Sequence, residues 1–279
     1  MKIATDLWHR KGSSLIDELR LIKESGFDGV EFTFSEANEA LPNVSDRGYL
    51  RIEYLNDDVE ALRKASRDVG LEVHSIRSGL LWRYPLTSPD PVIRGKAIDI
   101  VKRELEACHR LEATALLIVP GVVNENTPYD KAYELAQSAL RSLVKYAEDL
   151  GVSLAIENVC NNFLQSPLEF AKFIDELASP MVGAYLDVGN VMDCRLGYPQ
   201  HWIRILGGRI KRVHIKDYSI GLRGIVDLFN GDINWPEVMR ALRDVGYDGY
   251  LTAELHPFNV AYELYFKQLA ERMRFLLRL

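Results

Sequence analysis

The chain has 279 residues, with 34 Lys and Arg against 40 Asp and Glu, which gives a formal net charge of −6 at pH 7. Hydrophobic residues make up 47% and charged residues 27%. This balance is typical of a folded globular protein and excludes a disordered chain. The acidic excess argues against nucleic acid as the main partner, because phosphate binding needs a basic surface.

The apolar runs indicate whether the chain contacts a membrane, and the cysteines indicate its redox compartment. No apolar run approaches the roughly 18 residues of a membrane-spanning helix, so we expect no membrane partner. The first residues reach a charge too early for a secretory signal. The cysteines Cys108, Cys160 and Cys194 are too few and too scattered for a disulfide framework. We therefore expect a reduced protein of the cytoplasm.

Short apolar runs of β type alternate with longer helical patterns along the whole chain. Several of these runs are almost continuously apolar, which is typical of parallel strands covered on both faces. The predicted strands are Lys2–Leu7, Gly29–Thr33, Glu72–Ile76, Ala115–Val119, Ser153–Ile156, Val182–Leu186, Arg209–Ile215 and Tyr250–Ala253.

Helical periodicity fills the segments between these strands. Leu15, Leu19 and Ile22 form one apolar stripe, as expected for an outer helix packed on a sheet. Ser166 and Asn234 are predicted N-caps, because each precedes a proline within the first turn and a glutamate three residues on. The pattern therefore indicates an α/β protein.

The regular strand spacing predicts how the strands are arranged. The spacing is about 35 residues, which is the size of one βα unit. Eight such units without a linker predict a single α/β domain over residues 1–279, a closed (β/α)8 TIM barrel. An open doubly wound sheet is the alternative. No glycine-rich phosphate-binding motif follows the first strand, which counts against a nucleotide-binding version of that fold.

Ionisable residues lie at or near the ends of the last four predicted strands, where a barrel carries its functional groups. Carboxylates gathered there repel one another unless a positive charge lies between them. Three carboxylates and one imidazole suit Mn²⁺, Mg²⁺ or Co²⁺, and suit Zn²⁺ less well because thiolates are missing. Alternatively, each acid is a separate residue that is solvated or paired with an arginine. The four residues are Glu157, Asp187, His214 and Glu254.

The motifs around these residues resemble those of the sugar phosphate isomerase/epimerase family, which has the xylose-isomerase-like TIM barrel. The resemblance covers essentially the whole chain, and its motifs are specific for the superfamily rather than for one substrate. The matching segments are Ile156-Glu157-Asn158, Leu186-Asp187-Val188-Gly189-Asn190, Val213-His214-Ile215-Lys216-Asp217 and Gly231-Asp232-Ile233-Asn234-Trp235 followed by Thr252-Ala253-Glu254.

The resemblance implies a site and a reaction. By it, Glu157, Asp187, His214 and Glu254 hold one divalent metal ion, and Glu157 and Glu254 also act as an acid/base pair. The implied reaction is isomerisation or epimerisation of a sugar, keto-sugar or sugar phosphate, by proton abstraction through a metal-stabilised cis-enediolate.

The chain departs from the well-described ketose 3-epimerases of that family at three positions. Those enzymes carry a Glu six residues after the first metal Glu, a His three after the metal Asp and an Arg six after the metal His. The corresponding residues here are Phe163, Asn190 and Ile220. Different sugar contacts imply a different or modified substrate.

Five residues are candidates for substrate binding. His74 is assigned to the end of the third strand and Glu31 to the end of the second. Lys216 shares one side of the seventh strand with the metal His. Asn190 follows the metal Asp, and Arg223 lies in a long segment that could cover the mouth of the barrel. Each has a structural alternative, such as a salt bridge or a backbone-satisfied imidazole.

Other functions remain open at this stage. A metal-dependent keto-inositol or keto-sugar dehydratase would begin with the same proton abstraction and then expel a hydroxyl group. A metal-dependent endonuclease on a related barrel is disfavoured by the net charge and by only six histidines. A barrel that only binds a small-molecule sugar is the non-enzymatic alternative. A homo-oligomer is compatible with the sequence.

Overall fold

A computed structural model describes residues 1–7, 12–37, 49–255, 257 and 260–279. Eight parallel strands form a sheet in which β1 pairs with both β8 and β2, so the sheet closes on itself as predicted. The strands are β1 Lys2–Asp6, β2 Gly29–Ser35, β3 Glu72–Ser78, β4 Ala115–Ile118, β5 Ser153–Glu157, β6 Val182–Asp187, β7 Ile210–Ile215 and β8 Tyr250–Ala253.

Ten α-helices occur in the described part of the chain. Both predicted N-caps are confirmed, because the Ser166 and Asn234 side chains accept hydrogen bonds from backbone N–H groups of the first helical turn. The helices are α1 Leu15–Glu24, α2 Leu55–Val69, α3 Leu80–Arg83, α4 Pro91–Arg110, α5 Tyr129–Leu150, α6 Pro167–Asp175, α7 Val188–Asp193, α8 Pro199–Leu206, α9 Trp235–Asp244 and α10 Tyr262–Leu276.

Several smaller elements lie outside the eight-stranded barrel. The short strand Leu50–Arg51 extends the sheet beside β2. An antiparallel hairpin of Asp217–Ser219 and Gly224–Val226 follows β7. Two 3₁₀ turns, Ile52–Tyr54 and Gly207–Arg209, precede α2 and β7. None of the described helices combines the length and the apolar character needed to cross a bilayer.

Two bulges alter the direction of side chains inside the barrel. Between β2 and β3, Val30 pairs with Val73 and Glu31 pairs with Ser75, so His74 is the extra residue. Between β6 and β7, the register shifts in the same way at Lys211. A bulge breaks the simple alternation of inward and outward side chains. It therefore places side chains where the sequence period does not predict them.

The cysteines correct one expectation from the sequence. Cys160 and Cys194 form a disulfide, and only Cys108 is a free, buried thiol, so the prediction of a wholly reduced chain is wrong. The two residues lie 34 positions apart in sequence, but they follow neighbouring parallel strands. Their Cα atoms are therefore only 5.0 Å apart, within bonding range.

Candidate metal centre

Four strand-end side chains meet at one end of the barrel, as the sequence predicted. Glu157 and Asp187 are the last residues of β5 and β6, Glu254 directly follows β8, and His214 lies in β7. Each offers one ligand atom, and these four atoms lie within 4.8 Å of one another. His214 and Asp187 are fully buried, and Glu254 is the most accessible of the four. Convergence of parallel strand ends is what brings them together.

Asparagine side chains fix the relative position of the β5 and β6 ends. Asn158 donates from Nδ2 to the Asp187 carbonyl oxygen at 2.9 Å and accepts from the Asp187 N–H at 2.8 Å. Asn190 donates from its side chain to the Asn158 carbonyl oxygen at 2.9 Å. The Asn190 amide is thus engaged in supporting the centre, whereas the sequence suggested that it contacts substrate.

The two nitrogens of His214 face different groups. Nδ1 lies 3.1 Å from Glu157 Oε1, 3.6 Å from Glu254 Oε2 and 3.9 Å from Asp187 Oδ2. Nε2 lies on the opposite side, 2.8 Å from Glu31 Oε1. Nδ1 is therefore the nitrogen that faces the possible ion. Nε2–H is held by a carboxylate, which is a common arrangement for a metal-binding histidine.

Glu31 is buried beneath the centre and does not reach the mouth of the barrel. Its Oε2 accepts hydrogen bonds from the hydroxyl groups of Ser75 at 2.5 Å and Tyr185 at 2.6 Å. Burial works against ionisation, but the charge and hydrogen bond of His214 lower the pKa of Glu31 to about 2. Glu31 is therefore an ionised partner of His214, and the structure does not pair it with Lys216.

Two cationic side chains, those of Lys216 and Arg77, form ion pairs with carboxylates at the centre. Lys216 Nζ lies 2.7 Å from Asp187 Oδ2 and 2.5 Å from Glu254 Oε2. This approach requires Gly189 at the start of α7, because a Cβ atom there would collide with the Lys216 side chain and carbonyl oxygen. Arg77 donates to Glu254 Oε1 at 2.6 Å and to the buried Asp6 Oδ2 at 2.8 Å.

The charge balance of the cluster fits a divalent cation. Burial raises the pKa of Asp187 to about 7, although Lys216 opposes the rise, and burial likewise raises the pKa of Asp6 to about 7 against Arg77. Against the effect of burial, Lys216 and His214 meanwhile lower the pKa of the neighbouring Glu254, so the resident cations favour ionisation of one carboxylate of this pair and not of both. Three carboxylate oxygens and one imidazole nitrogen also form a donor set that suits a hard or borderline divalent ion.

The structure keeps two sequence candidates away from this cluster. His74 lies near the opposite ends of the strands, where it lines a cavity with Arg212 and Tyr250 and hydrogen-bonds Thr252 at 3.0 Å. Burial lowers the pKa of His74 well below its usual range. His74 is the third residue of the seven-residue strand β3, so it lies near the amino end of the strand and not at its carboxyl end. Arg223 is exposed at the tip of the hairpin after β7.

The positions that depart from the ketose 3-epimerase pattern have structural explanations. Phe163 is buried among the rings of Tyr129, Tyr133 and Phe173, so it packs in an aromatic cluster. Ile220 is 59% exposed beside the hairpin tip. Neither side chain offers a polar contact to a sugar.

Three functional neighbours escaped the sequence argument. Asp6 and Arg77 lie at the carboxyl ends of β1 and β3, so the strand-end argument would have found them had it been applied to those strands. Asp217 accepts hydrogen bonds from the backbone N–H groups of Phe229 and Gly231 and from the indole of Trp235. It thereby fixes the segment that follows the hairpin, and no motif in the sequence indicated this role.

The fold agrees with comparisons to known proteins. A family model described as the xylose isomerase-like TIM barrel matches residues 19–277, so the chain belongs to this family. One relative is the L-ribulose-5-phosphate 3-epimerase UlaE of Shigella flexneri, which is 23% identical over 252 residues. The alignment covers 88% of this chain and 83% of that enzyme. The UlaE protein of Escherichia coli strain SE11 is also 23% identical, with the same coverage.

Solved structures share the whole fold. A 3-keto-D-glucoside 4-epimerase, YcjR from E. coli, superposes with a TM-score of 0.79 at 17% identity, covering 100% of both chains. An L-ribulose 3-epimerase superposes with a TM-score of 0.77 at 20% identity, covering 99% of this chain and 94% of that one. At these identities the structural likeness establishes the fold.

Proposed function

We propose that this protein is a divalent-metal-dependent isomerase or epimerase of a sugar, keto-sugar or sugar phosphate. The observation that carries the proposal is the convergence of Glu157, Asp187, His214 and Glu254 within 4.8 Å at the carboxyl ends of β5 to β8. The sugar epimerases among the sequence relatives support the same reaction class.

The residues of the chain divide the work of proton transfer. Glu157 and Glu254 belong to strands on different sides of the cluster, so one carboxylate removes a carbon-bound proton and the other returns one. Lys216 and Arg77 hold both oxygens of Glu254, which keeps this carboxylate oriented and lowers its pKa despite its burial. When bound, a divalent ion would act as a Lewis acid on the substrate carbonyl.

The donor set favours Mn²⁺, Mg²⁺ or Co²⁺ over Zn²⁺, since it lacks thiolate. For substrate contacts we retain Lys216, which contacts two of the candidate ligands, and Arg223, which is exposed at the tip of the hairpin after β7. We assign Asn190 and Glu31 to support of the centre because their polar groups are engaged there, and His74 lies too deep for contact. The cytoplasm stays the proposed compartment.

Self-association is a further part of the proposal. The hairpin after β7 exposes three apolar side chains, Ile220, Leu222 and Ile225. A second copy of the chain would cover such a surface. Light scattering on a sizing column tests it, and a monomer at all concentrations would contradict it.

Isotope exchange tests the catalytic proposal without knowledge of the final product. The Mn²⁺-loaded protein is incubated in D₂O with L-ribulose 5-phosphate, D-fructose and a 3-keto-glucoside, and carbon-bound deuterium is measured by mass spectrometry. We expect incorporation into at least one of these sugars, and its loss in Glu254→Gln. A product lighter by one water would reassign the protein as a dehydratase. Metal binding without any exchange would favour a sugar-binding barrel.

A further inference from the structure

The disulfide joins the two segments that carry neighbouring ligands of the candidate metal centre. Cys160 lies three residues after Glu157, at the end of β5. Cys194 directly follows α7, the short helix that begins next to Asp187 at the end of β6. The covalent link therefore joins the two segments that directly follow the candidate ligands Glu157 and Asp187.

The disulfide adds to weaker links between the same two loops. Asn158 and Asn190 form three hydrogen bonds of 2.8 to 2.9 Å that fix the Asp187 backbone and the start of α7. These amides lie close to the ligands and Asn158 is buried. The disulfide lies further along both loops. It limits the distance between the two loops at a point beyond these hydrogen bonds.

The two bonded cysteines lie nearer the surface than the third cysteine. Cys160 is exposed and Cys194 is half-buried, whereas the third cysteine, Cys108, is fully buried in the core. Thiol–disulfide exchange requires that a thiolate reach one sulfur along the axis of the bond. In the cytoplasm, the compartment proposed above, a disulfide is usually transient, catalytic or redox-sensing.

We propose that Cys160 and Cys194 are a reversible thiol–disulfide modification site that sets the affinity of the metal centre. The proposal rests on the proposed function, because it needs the centre to bind a divalent ion. In the oxidised form the loops after β5 and β6 are tied together and Glu157 and Asp187 are held in place. Reduction frees the two loops and weakens binding of the ion.

The reductant is a small cellular thiol of the glutathione class. Its thiolate attacks the exposed Cys160 sulfur and forms a mixed disulfide, which releases the Cys194 thiolate. A second glutathione then displaces Cys160 and leaves as oxidised glutathione. Two electrons pass to the protein, two glutathione thiols become one disulfide, and the two protein sulfurs end as thiols after proton uptake.

Mn²⁺ binding by the intact protein tests the proposal. The oxidised protein and a sample reduced with a phosphine are titrated with Mn²⁺, and the free ion is followed by electron paramagnetic resonance. We expect reduction to weaken binding by about tenfold, the lower end of the 10- to 100-fold range for losing a group that supports metal ligands. Cys160→Ser and Cys194→Ser should each match the reduced wild type and should no longer respond to the phosphine.

Cys108→Ala is the matched control, because it removes the third cysteine and leaves the disulfide in place. It should keep the full response to reduction. Alkylation followed by mass spectrometry should label Cys160 and Cys194 only after treatment with millimolar glutathione.

Three results would overturn the proposal. Equal Mn²⁺ affinity of the oxidised and reduced proteins, both folded by circular dichroism, would show that the link does not act on the centre. A disulfide that resists glutathione would be structural and not a modification site. Absence of Mn²⁺ binding in both forms would refute the proposed metal-dependent function together with this inference. The first two results would refute only this inference, so the two kinds of failure are distinguishable.

Discussion

Glu31 provides a sharp test of how the centre is built, because it touches His214 but lies outside the ligand set. The change is Glu31→Gln, which keeps the volume of the side chain and removes its charge. In the native protein, Oε1 faces His214 Nε2 at 2.8 Å and Oε2 accepts two hydroxyl groups. Glutamine has only one acceptor oxygen. If that oxygen stays on His214, the amide group faces Ser75 and Tyr185, whose hydroxyls must reorient.

The expected loss is that of a carboxylate partner of a metal-binding histidine. Removing such a partner costs about 10- to 100-fold in metal affinity, or ~1.4 to 2.8 kcal/mol. We therefore expect the Mn²⁺ dissociation constant of Glu31→Gln to rise by that factor, measured by isothermal titration calorimetry. Glu104→Gln is the matched control, since Glu104 is also fully buried but lies on α4, outside the ligand cluster.

Two outcomes would refute this reasoning. A folded Glu31→Gln protein with wild-type Mn²⁺ affinity would show that the carboxylate does not support His214. An equal loss of affinity in Glu104→Gln would show that any buried glutamate has the same effect through global stability. Thermal unfolding of each apo variant separates a folding defect from a binding defect.

Three further predictions address catalysis, metal competition and stability. Glu254→Gln should keep its fold and lower deuterium exchange about 10²- to 10⁴-fold, and exchange near the wild-type rate would exclude the acid/base role. Lys216→Met should tighten Mn²⁺ binding about three- to tenfold in calorimetry, because the ammonium group occupies oxygens of Asp187 and Glu254; weaker binding would contradict this competition. Burial raises the pKa of Glu104 from 4.5 to about 8, so the folded state holds a proton that the unfolded state releases. The contribution of Glu104 to stability should therefore fall by ~1.4 kcal/mol per pH unit between these values. Between pH 5 and pH 8, urea unfolding should show that the wild type loses ~4 kcal/mol more stability than Glu104→Gln, and parallel curves would contradict it.

The sequence predicts the barrel well because each of its signals is local. Apolar runs mark all eight strands to within two residues at each end. The ligand set follows from them, because residues at the ends of parallel strands converge. The prediction is weaker where the backbone is irregular. The bulge at His74 breaks the alternation of its side chain, and since the strand runs on to Ser78, His74 lies near the amino end and not at the strand end to which it was assigned.

Long-range pairings are the second limit of the sequence. The predicted third strand ends at Ile76, but the strand continues to Ser78 and brings Arg77 to the centre. Arg77 pairs with Asp6, which lies 71 positions away in sequence, and with Glu254, which lies 177 positions away. The Cys160–Cys194 bond depends in the same way on which strands are neighbours. No periodicity within the chain encodes such contacts before the barrel order is known.

Closure of the barrel has a consequence for how the proposed metal ion would bind during synthesis. Glu254 follows β8, and β8 is held between β7 and β1, the first strand of the barrel in chain order. A nascent chain that has completed β6 carries only Glu157 and Asp187, so it offers half of the ligand set. The full set exists only after the last strand has joined the first. An ion that binds only this state favours ring closure by ~2.7 kcal/mol at one hundred times its dissociation constant. Supply of the ion therefore acts on the yield of closed barrels as well as on their chemistry.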